Sequence, residues 1–215
     1  MPYMGKGAYR TTLQIDKSEN GRYILLFDGA MSEAQVFVNG RQVGYWPYGY
    51  NAFYFDVTPY LNIGGENTLA VRLENFEESS RWYPGAGLYR NVHLIVTDEL
   101  AVKMWGTYVT TPVVRDNFAK VNVQVEVDVP EDIDPTKVRI ETDIYNPVGQ
   151  HVYNGSMSLD HYEKDIVTAR TVVTNPQLWS PDTPNLYKAV TSVLYDNDTT
   201  DVYETTFGIR TIEIV

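Results

Sequence analysis

Apolar and polar residues alternate along most of the chain. Between Val121 and Val129 every second residue is valine. A β-strand sends successive side chains to opposite faces, so this segment is predicted to have one buried and one hydrated face. The same alternation recurs in three more segments, at Leu69/Val71/Leu73, Val92/Leu94/Val96 and Val138/Ile140/Thr142/Ile144. No segment of helical length has a 3.6-residue period, and the pattern therefore predicts an all-β chain.

Turn-forming residues separate these predicted strands. Asn39-Gly40 lies between two short apolar runs, and this pair is preferred in type I′ hairpin turns because both residues need a positive φ. Three further clusters are predicted turns: 62–67, 146–149 and 196–198. Short strands separated by such turns, without helices, are typical of β-sandwiches.

The strand-like segments fall into two groups with a boundary near 97–100. About eight precede the boundary and about seven follow it, numbers typical of a jelly roll and of an immunoglobulin-like sandwich. We therefore expect a jelly-roll domain over 1–98 and an immunoglobulin-like β-sandwich over 99–215.

Charge and composition exclude several function classes. The formal net charge is −11 and no cluster of Lys or Arg is present, which argues against nucleic acid and anionic membranes as partners and favours neutral ligands. The chain has no cysteine, so disulfides, thiolate nucleophiles and Cys-ligated metals are excluded. No apolar run approaches the roughly 20 residues of a membrane span, and the first five residues do not resemble a signal peptide.

The loop at 77–90 combines an arginine with large aromatic residues. Arg81 precedes Trp82 and Tyr83, and a proline and two glycines follow. Sugar C–H faces stack on aromatic rings while a guanidinium hydrogen-bonds hydroxyls, so the loop suits carbohydrate recognition. A structural cation–π pair between Arg81 and Trp82 is the alternative, and residue types alone favour it.

A second aromatic run, 45–55, offers another stacking platform. Such a run more often closes one end of a sandwich core, and we take that interpretation as the better one.

Other candidate chemistry is weaker. Glu77 and Glu78 are adjacent, whereas the carboxylates of glycoside hydrolysis face each other across a cleft, so a solvated charge pair is expected. The acidic segment 196–201 lacks the glycine and terminal glutamate of an EF-hand loop and is predicted to be a hairpin turn. The histidines have no metal-ligand spacing: His93, His151 and His161. We predict no metal and no cofactor.

Two stretches of the first half form a recognisable pattern: Phe37-Val38-Asn39-Gly40 and the run 81–92, Arg-Trp-Tyr-Pro-Gly-Ala-Gly-Leu-Tyr-Arg-Asn-Val. Through them the first half resembles the sugar-binding domain of glycoside hydrolase family 2. The second half is similar to its immunoglobulin-like domain through Pro176-Gln177-Leu178-Trp179-Ser180-Pro181 and Phe207-Gly208-Ile209-Arg210-Thr211. The resemblance covers essentially the whole chain.

The resemblance implies the non-catalytic N-terminal portion of a retaining, β-galactosidase-like glycosidase. In that family both catalytic glutamates belong to a TIM barrel that follows the Phe-Gly-Ile-Arg-Thr segment, so no catalytic residue is expected here. Relatives carry further residues before the position of Gly7, which implies that the first sandwich is incomplete at one edge.

The resemblance also implies a site and partners. Arg81, Trp82 and Tyr83 would line the substrate-entry side as substrate-binding residues, while Gly85, Gly87, Tyr89 and Arg90 would be structural. The expected partners are carbohydrate and the catalytic barrel, and an uncovered hydrophobic face would favour homo-oligomers. The compartment stays open, with periplasmic or extracellular preferred to cytoplasmic for the longer protein. Two rival functions remain: an autonomous carbohydrate-binding module and an adhesion-type tandem sandwich.

Overall fold

The chain forms two compact units, each of which is a β-sandwich. The computed structural model describes residues 4–16, 21–77, 85–159 and 165–212. The units span Met1–Thr97 and Asp98–Val215. Within the described residues the first unit has seven strands: β1 (Gly5–Gln14), β2 (Gly21–Phe27), β3 (Ala34–Val38), β4 (Arg41–Trp46), β5 (Phe53–Asp56), β6 (Glu66–Asn75) and β7 (Val92–Asp98).

The first unit is built from a four-stranded and a three-stranded sheet. The order in the larger sheet is β1-β6-β3-β4 and in the smaller sheet β5-β2-β7. β1 pairs antiparallel with β6 from Gly5 opposite Asn75 to Gln14 opposite Glu66. One short 3₁₀-helix, Thr58–Tyr60, follows β5.

The core of the first unit lies between its two sheets, because alternate residues of facing strands point inward. Phe27 and Phe53 stack with ring centroids 4.8 Å apart, and Trp46 stacks on Phe53 at 5.6 Å. The remaining buried members are aliphatic or small, apart from Tyr23: Ile15, Leu25, Ala30, Ala34, Val36, Val38, Val57, Leu69, Val71 and Leu73.

The second unit also has seven strands within the described residues. They are β8 (Ala101–Val114), β9 (Phe118–Asp128), β10 (Val138–Tyr145), β11 (His151–Ser158), β12 (Ile166–Thr174), β13 (Tyr187–Tyr195) and β14 (Asp198–Phe207). One sheet has the order β11-β10-β13-β14 and the other β12-β9-β8. A 3₁₀-helix, Pro135–Lys137, precedes β10. The strands of both units confirm the predicted all-β class, a jelly roll followed by an immunoglobulin-like sandwich.

Two threonines face each other inside the second core. Thr142 on β10 and Thr191 on β13 are cross-strand partners and are only 0% and 1% exposed. Neither hydroxyl has a hydrogen-bond partner among the described residues. The surrounding core is aliphatic, with Ile140, Ile144, Ala189 and Val193 buried on the same two strands.

The predicted turns are present at the expected places. Asn39 and Gly40 have φ angles of 51° and 77° and join paired Val38 and Arg41, as a type I′ hairpin requires. The acidic segment at 196 is likewise a two-residue turn, with φ angles of 50° at Asp196 and 77° at Asn197. Both turn predictions are confirmed.

One predicted buried face is wrong. Leu94 and Val96 on β7 are 36% and 52% exposed, although their alternation matched that of the buried strands. The core of the first unit reaches only Val92 on this strand, and Leu94 and Val96 lie beyond it.

β8 is interrupted by a large bulge. Val102 pairs with Val127 and Thr107 pairs with Val125, so residues 103–106 lie opposite one residue of β9. Trp105 at the bulge has φ 57° and is 51% exposed. A Cβ on Gly106 would lie 2.7 Å from two main-chain oxygens, so the bulge requires glycine at that position.

Helices contribute little to this fold. Within the described ranges none is long and apolar enough to cross a membrane.

Candidate functional site

The aromatic run 45–55 has two opposite roles in the structure. Phe53 is 2% exposed and stacks between Phe27 and Trp46, so this part closes the core as predicted. Tyr48 and Tyr50, in the loop between β4 and β5, are instead 56% and 43% exposed. The interpretation as a core closure therefore holds for only part of the run.

The two exposed tyrosines form a ring pair that a third tyrosine supports. Tyr48 and Tyr50 have ring centroids 5.5 Å apart and an interplanar angle of 61°. Tyr89, which is 42% exposed, donates a 2.7 Å hydrogen bond from its hydroxyl to the Gly49 carbonyl oxygen between them. Tyr48, Tyr50 and Tyr89 are called the tyrosine cluster below.

The loop that holds the tyrosine cluster is fixed at several points. The Glu33 amide donates to the Pro47 carbonyl at 3.1 Å, and the Trp46 indole Nε1 donates to the Asn51 side-chain oxygen at 3.0 Å. The Met31 side chain packs so closely on Gly49 that a Cβ there would overlap its sulfur. These contacts define one backbone geometry for the exposed rings.

Charged groups of both signs border the tyrosine cluster. The Arg90 guanidinium lies 5.3 Å from the Tyr89 ring centroid, and its Nη1 donates to the Asp28 carbonyl oxygen at 3.4 Å. The Asp28 carboxylate is 3.1 Å from Nε2 of His93. Positive and negative groups in this arrangement suit hydroxyl-bearing ligands, which both donate and accept hydrogen bonds.

The predicted substrate-binding residues Arg81, Trp82 and Tyr83 lie outside the described residues. The chain after them is anchored to the first unit, because Gly87 and Met31 form an antiparallel bridge with two 3.0 Å hydrogen bonds. The end of this loop thus reaches the segment that also supports the tyrosine cluster.

The residues that follow the loop differ in whether a φ angle or a close contact requires that residue type. Gly87 has φ 98°, which supports the predicted structural role. A Cβ on Gly85 would meet no atom of the described residues within 4 Å, so no contact among them requires glycine there. Tyr89 and Arg90 combine structural bonds with considerable exposure, which the sequence interpretation missed. The signal available was a Tyr-Arg pair that begins two residues after the turn glycine Gly87.

The remaining candidates form ordinary structural contacts. Asp196 pairs with Lys137 at 2.7 Å, which agrees with the prediction of a hairpin turn rather than a calcium loop. His151 lies 2.6 Å from the Asp143 carboxylate. Of the predicted glutamate pair, Glu77 ends the described segment and Glu78 lies outside it, as does His161. Across 4–16, 21–77, 85–159 and 165–212, no group of three or more His, Asp or Glu side chains could hold a metal ion.

Two partly buried aspartates have shifted pKa values for structural reasons. Burial raises the pKa of Asp201, although its Oδ2 accepts a 2.9 Å hydrogen bond from the Val102 amide. Asp56 is also partly desolvated, but hydrogen bonds from Thr58 and Arg22 outweigh this and lower its pKa.

Two family models match the chain side by side. The model described as glycosyl hydrolases family 2, sugar binding domain, matches residues 2–98. The model described as glycosyl hydrolases family 2 matches residues 102–210. Together they cover nearly the whole sequence.

Individual relatives give the same result. A β-galactosidase of Bacteroides ovatus, BoGH2A, is 39% identical over 98% of this chain, which spans 25% of the relative's length. A β-glucuronidase of Formosa agariphila is 30% identical over 95% of the chain and 23% of its own length. The crystal structure of a family 2 member from Bacteroides cellulosilyticus has a TM-score of 0.90 at 38% identity, covering 97% of this chain and 27% of that one. The chain therefore spans about a quarter of the proteins it matches.

Proposed function

The chain belongs to glycosyl hydrolases family 2, and from that premise we propose that it is the non-catalytic N-terminal portion of a retaining glycosidase that acts on β-linked glycosides. The observation that carries this proposal is the adjacent match of the two family models over 2–98 and 102–210. The relatives named β-galactosidase and β-glucuronidase support a β-glycoside as the substrate class of the longer protein. We favour β-galactosidase-like activity, since the B. ovatus relative carries that name.

The chemistry of the longer protein would reside outside this chain. Retaining hydrolysis needs two carboxyl groups about 5 Å apart, one acting as nucleophile and the other as acid and then base. In this proposal both come from a catalytic barrel of about 250 residues, the size typical of the fold. The 215 residues would supply packing surfaces and one wall of the substrate pocket.

The first experiment compares the 215-residue chain with the longer protein. Chromogenic β-galactoside and β-glucuronide substrates are offered to each at equal concentration. We expect hydrolysis by the longer protein alone, because in this proposal both catalytic carboxyl groups lie outside the chain. Turnover by the purified chain that persists after further purification would contradict the proposal.

Within that framework Arg81, Trp82 and Tyr83 contact the substrate. Their residue types support this role, since a guanidinium and aromatic rings together recognise sugar hydroxyls and C–H faces. Arg81 is the main candidate for the hydroxyl contacts.

The Arg81→Ala variant of the longer protein tests this role. Loss of a charge-assisted hydrogen bond of about 1.5–3 kcal/mol would lower kcat/KM roughly 10- to 150-fold, with little change in unfolding temperature. Arg170→Ala is the matched control, because Arg170 is an exposed arginine on β12 of the second unit. Equal kcat/KM in the Arg81 variant and the control would refute the role.

An autonomous carbohydrate-binding module is a second candidate function. The exposed tyrosine cluster favours it, because such a module needs surface aromatic rings for stacking. In this case the 215-residue chain binds glycans on an array and Trp82→Ala abolishes the binding.

A further inference from the structure

We propose that the tyrosine cluster, Tyr48, Tyr50 and Tyr89, is a binding platform for a neutral pyranose ring of an oligosaccharide. This inference rests on the proposed function only for the choice of sugars as the ligand class. The platform itself is defined by exposed rings in a fixed geometry at one end of the first unit.

The ring geometry suits a sugar. Tyr48 and Tyr50 meet edge to face at 61° with centroids 5.5 Å apart, so the two rings form a corner and are not stacked on each other. A pyranose presents apolar C–H groups on one face and hydroxyls around its edge. One ring of the corner contacts the C–H face, and the other ring and the phenol oxygens contact the edge.

The phenol groups of the platform suit a hydrated ligand. All three exposed rings of the cluster are tyrosine, although Tyr23 shows that tyrosine also enters the core of this unit. Phenol hydroxyls make these rings less suited to a dry protein–protein interface, but the hydroxyls can form hydrogen bonds with a hydrated ligand. A sugar therefore fits the cluster better than an apolar protein surface does.

The platform is pre-organised. The hydrogen bond from Tyr89 to the Gly49 carbonyl and the contact of Gly49 with Met31 hold the loop before any ligand arrives. Little conformational freedom is then lost on binding, which favours affinity for a weakly interacting ligand.

The charges around the platform favour neutral sugars. Arg90 lies over the Tyr89 ring, and Asp28 contacts both Arg90 and His93, so donors and acceptors are present together. The chain as a whole carries a formal charge of −11, which disfavours the approach of anionic sugars such as uronates.

Binding of defined oligosaccharides to the 215-residue chain tests the platform. The probes are the β-1,4-linked hexaoses of galactose, glucose, mannose and xylose, measured by calorimetry up to millimolar concentration. We expect at least one to bind, and both Tyr48→Ala and Tyr50→Ala to weaken it about tenfold or more, as loss of an aromatic anchor does. Tyr48→Phe, which keeps the ring, should retain most of the affinity.

Tyr108→Ala is the matched control. Tyr108 is 65% exposed on β8 of the second unit, so its removal should leave the affinity unchanged. Circular dichroism spectra identical to the parent chain show that each variant is folded.

Three results would overturn the platform: no binding of any probe, equal binding by all variants, or a loss with Tyr108→Ala as large as with Tyr48→Ala. Different results would contradict the proposed function. If the longer protein hydrolyses β-glycosides while its 215-residue portion binds no probe, only the platform is wrong. If the probes bind but the longer protein hydrolyses no β-glycoside, only the glycosidase proposal is wrong.

Discussion

The facing pair Thr142 and Thr191 is a place where a conservative substitution should raise stability. Both side chains are buried in an aliphatic core, and neither hydroxyl has a hydrogen-bond partner among the described residues. Valine has nearly the shape of threonine, with a methyl group in place of the hydroxyl. The variants Thr142→Val and Thr191→Val therefore remove a desolvated polar group without opening a cavity.

The expected gain follows from the cost of an unsatisfied hydroxyl. Leaving such a group buried costs about 1–3 kcal/mol, and an added buried methyl contributes about 0.8 kcal/mol. Local readjustment in a close-packed core offsets part of this, so we expect about 1 kcal/mol for each single variant. The two sites are cross-strand partners, and the double variant should gain about 2 kcal/mol with some non-additivity.

Urea unfolding of the 215-residue chain measures this gain. The transition of the second unit should move to higher urea with an unchanged slope, since the exposed area on unfolding is the same. Thr205→Val is a control that should lower the free energy of unfolding instead of raising it. The Thr205 hydroxyl lies 2.7 Å from the Thr107 hydroxyl, and loss of that hydrogen bond should destabilise the unit by about 1 kcal/mol.

A loss of stability in Thr142→Val would refute the reasoning. Such a loss would mean that the hydroxyl makes a favourable polar contact in the folded protein, so that its removal leaves a partner unsatisfied. A loss confined to the double variant would indicate instead that two added methyl groups overpack the site.

Three further predictions concern the backbone and one titrating group. Gly106→Ala should destabilise the second unit by roughly 2–4 kcal/mol, because a Cβ would lie 2.7 Å from two main-chain oxygens; Gly85→Ala, with open space around it, is the control with little effect in the same urea titration. Gly40→Ala should cost the first unit about 1 kcal/mol, since φ is 77° there, and a loss of unfolding free energy smaller than about 0.3 kcal/mol in urea titrations would contradict this. Asp201→Asn should stabilise the chain at pH 7. Burial raises the pKa of Asp201 in the folded protein, so ionisation of this side chain lowers stability. This loss is absent below the pKa of the unfolded chain, grows as the pH rises, and is complete above the pKa of the folded protein. The asparagine can still accept from Val102, and its advantage in urea titrations should disappear at acidic pH; an equal advantage at all pH values would contradict this explanation.

The sequence predicts the strands of this protein well because their signal is local. A period of two in polarity is imposed by the strand itself, and the buried residues of β9 and β10 follow it without exception. Even Thr142, a polar residue, was correctly placed on the buried face by the alternation around it. Turn residues such as Asn39-Gly40 are equally local, because the turn geometry depends on their own φ angles.

Features that depend on distant neighbours were not predictable in the same way. The alternation at Leu94 and Val96 is the same as in a buried strand, but the core reaches only Val92 on β7 and both are exposed. The bulge around Trp105 arises from the register between β8 and β9, which no local pattern contains. The exposure of Tyr89 likewise depends on how three separate loops converge.

For the candidate site, the sequence predicted which residue types take part but not how they are arranged. The resemblance to family 2 identified Arg81, Trp82 and Tyr83 as contact residues, and their role stays a prediction. The aromatic run 45–55 was identified as a platform or a core closure, and the structure assigns different residues of the run to each. Sequence alone could not divide them, because Tyr48 and Phe53 differ by one hydroxyl. The fold places Tyr48 in the loop between β4 and β5 and Phe53 on β5, where it is buried.

The pairing of β1 with β6 has a consequence for synthesis on the ribosome. Gln14 finds its partner 52 residues later at Glu66, and Gly5 finds its partner 70 residues later at Asn75. At about 5–20 residues per second, the nascent β1 waits roughly 3–14 s before its partner exists. Its side chains suit this delay, because Lys6, Arg10 and Gln14 keep an unpaired strand hydrated and discourage it from joining a strand of another nascent chain.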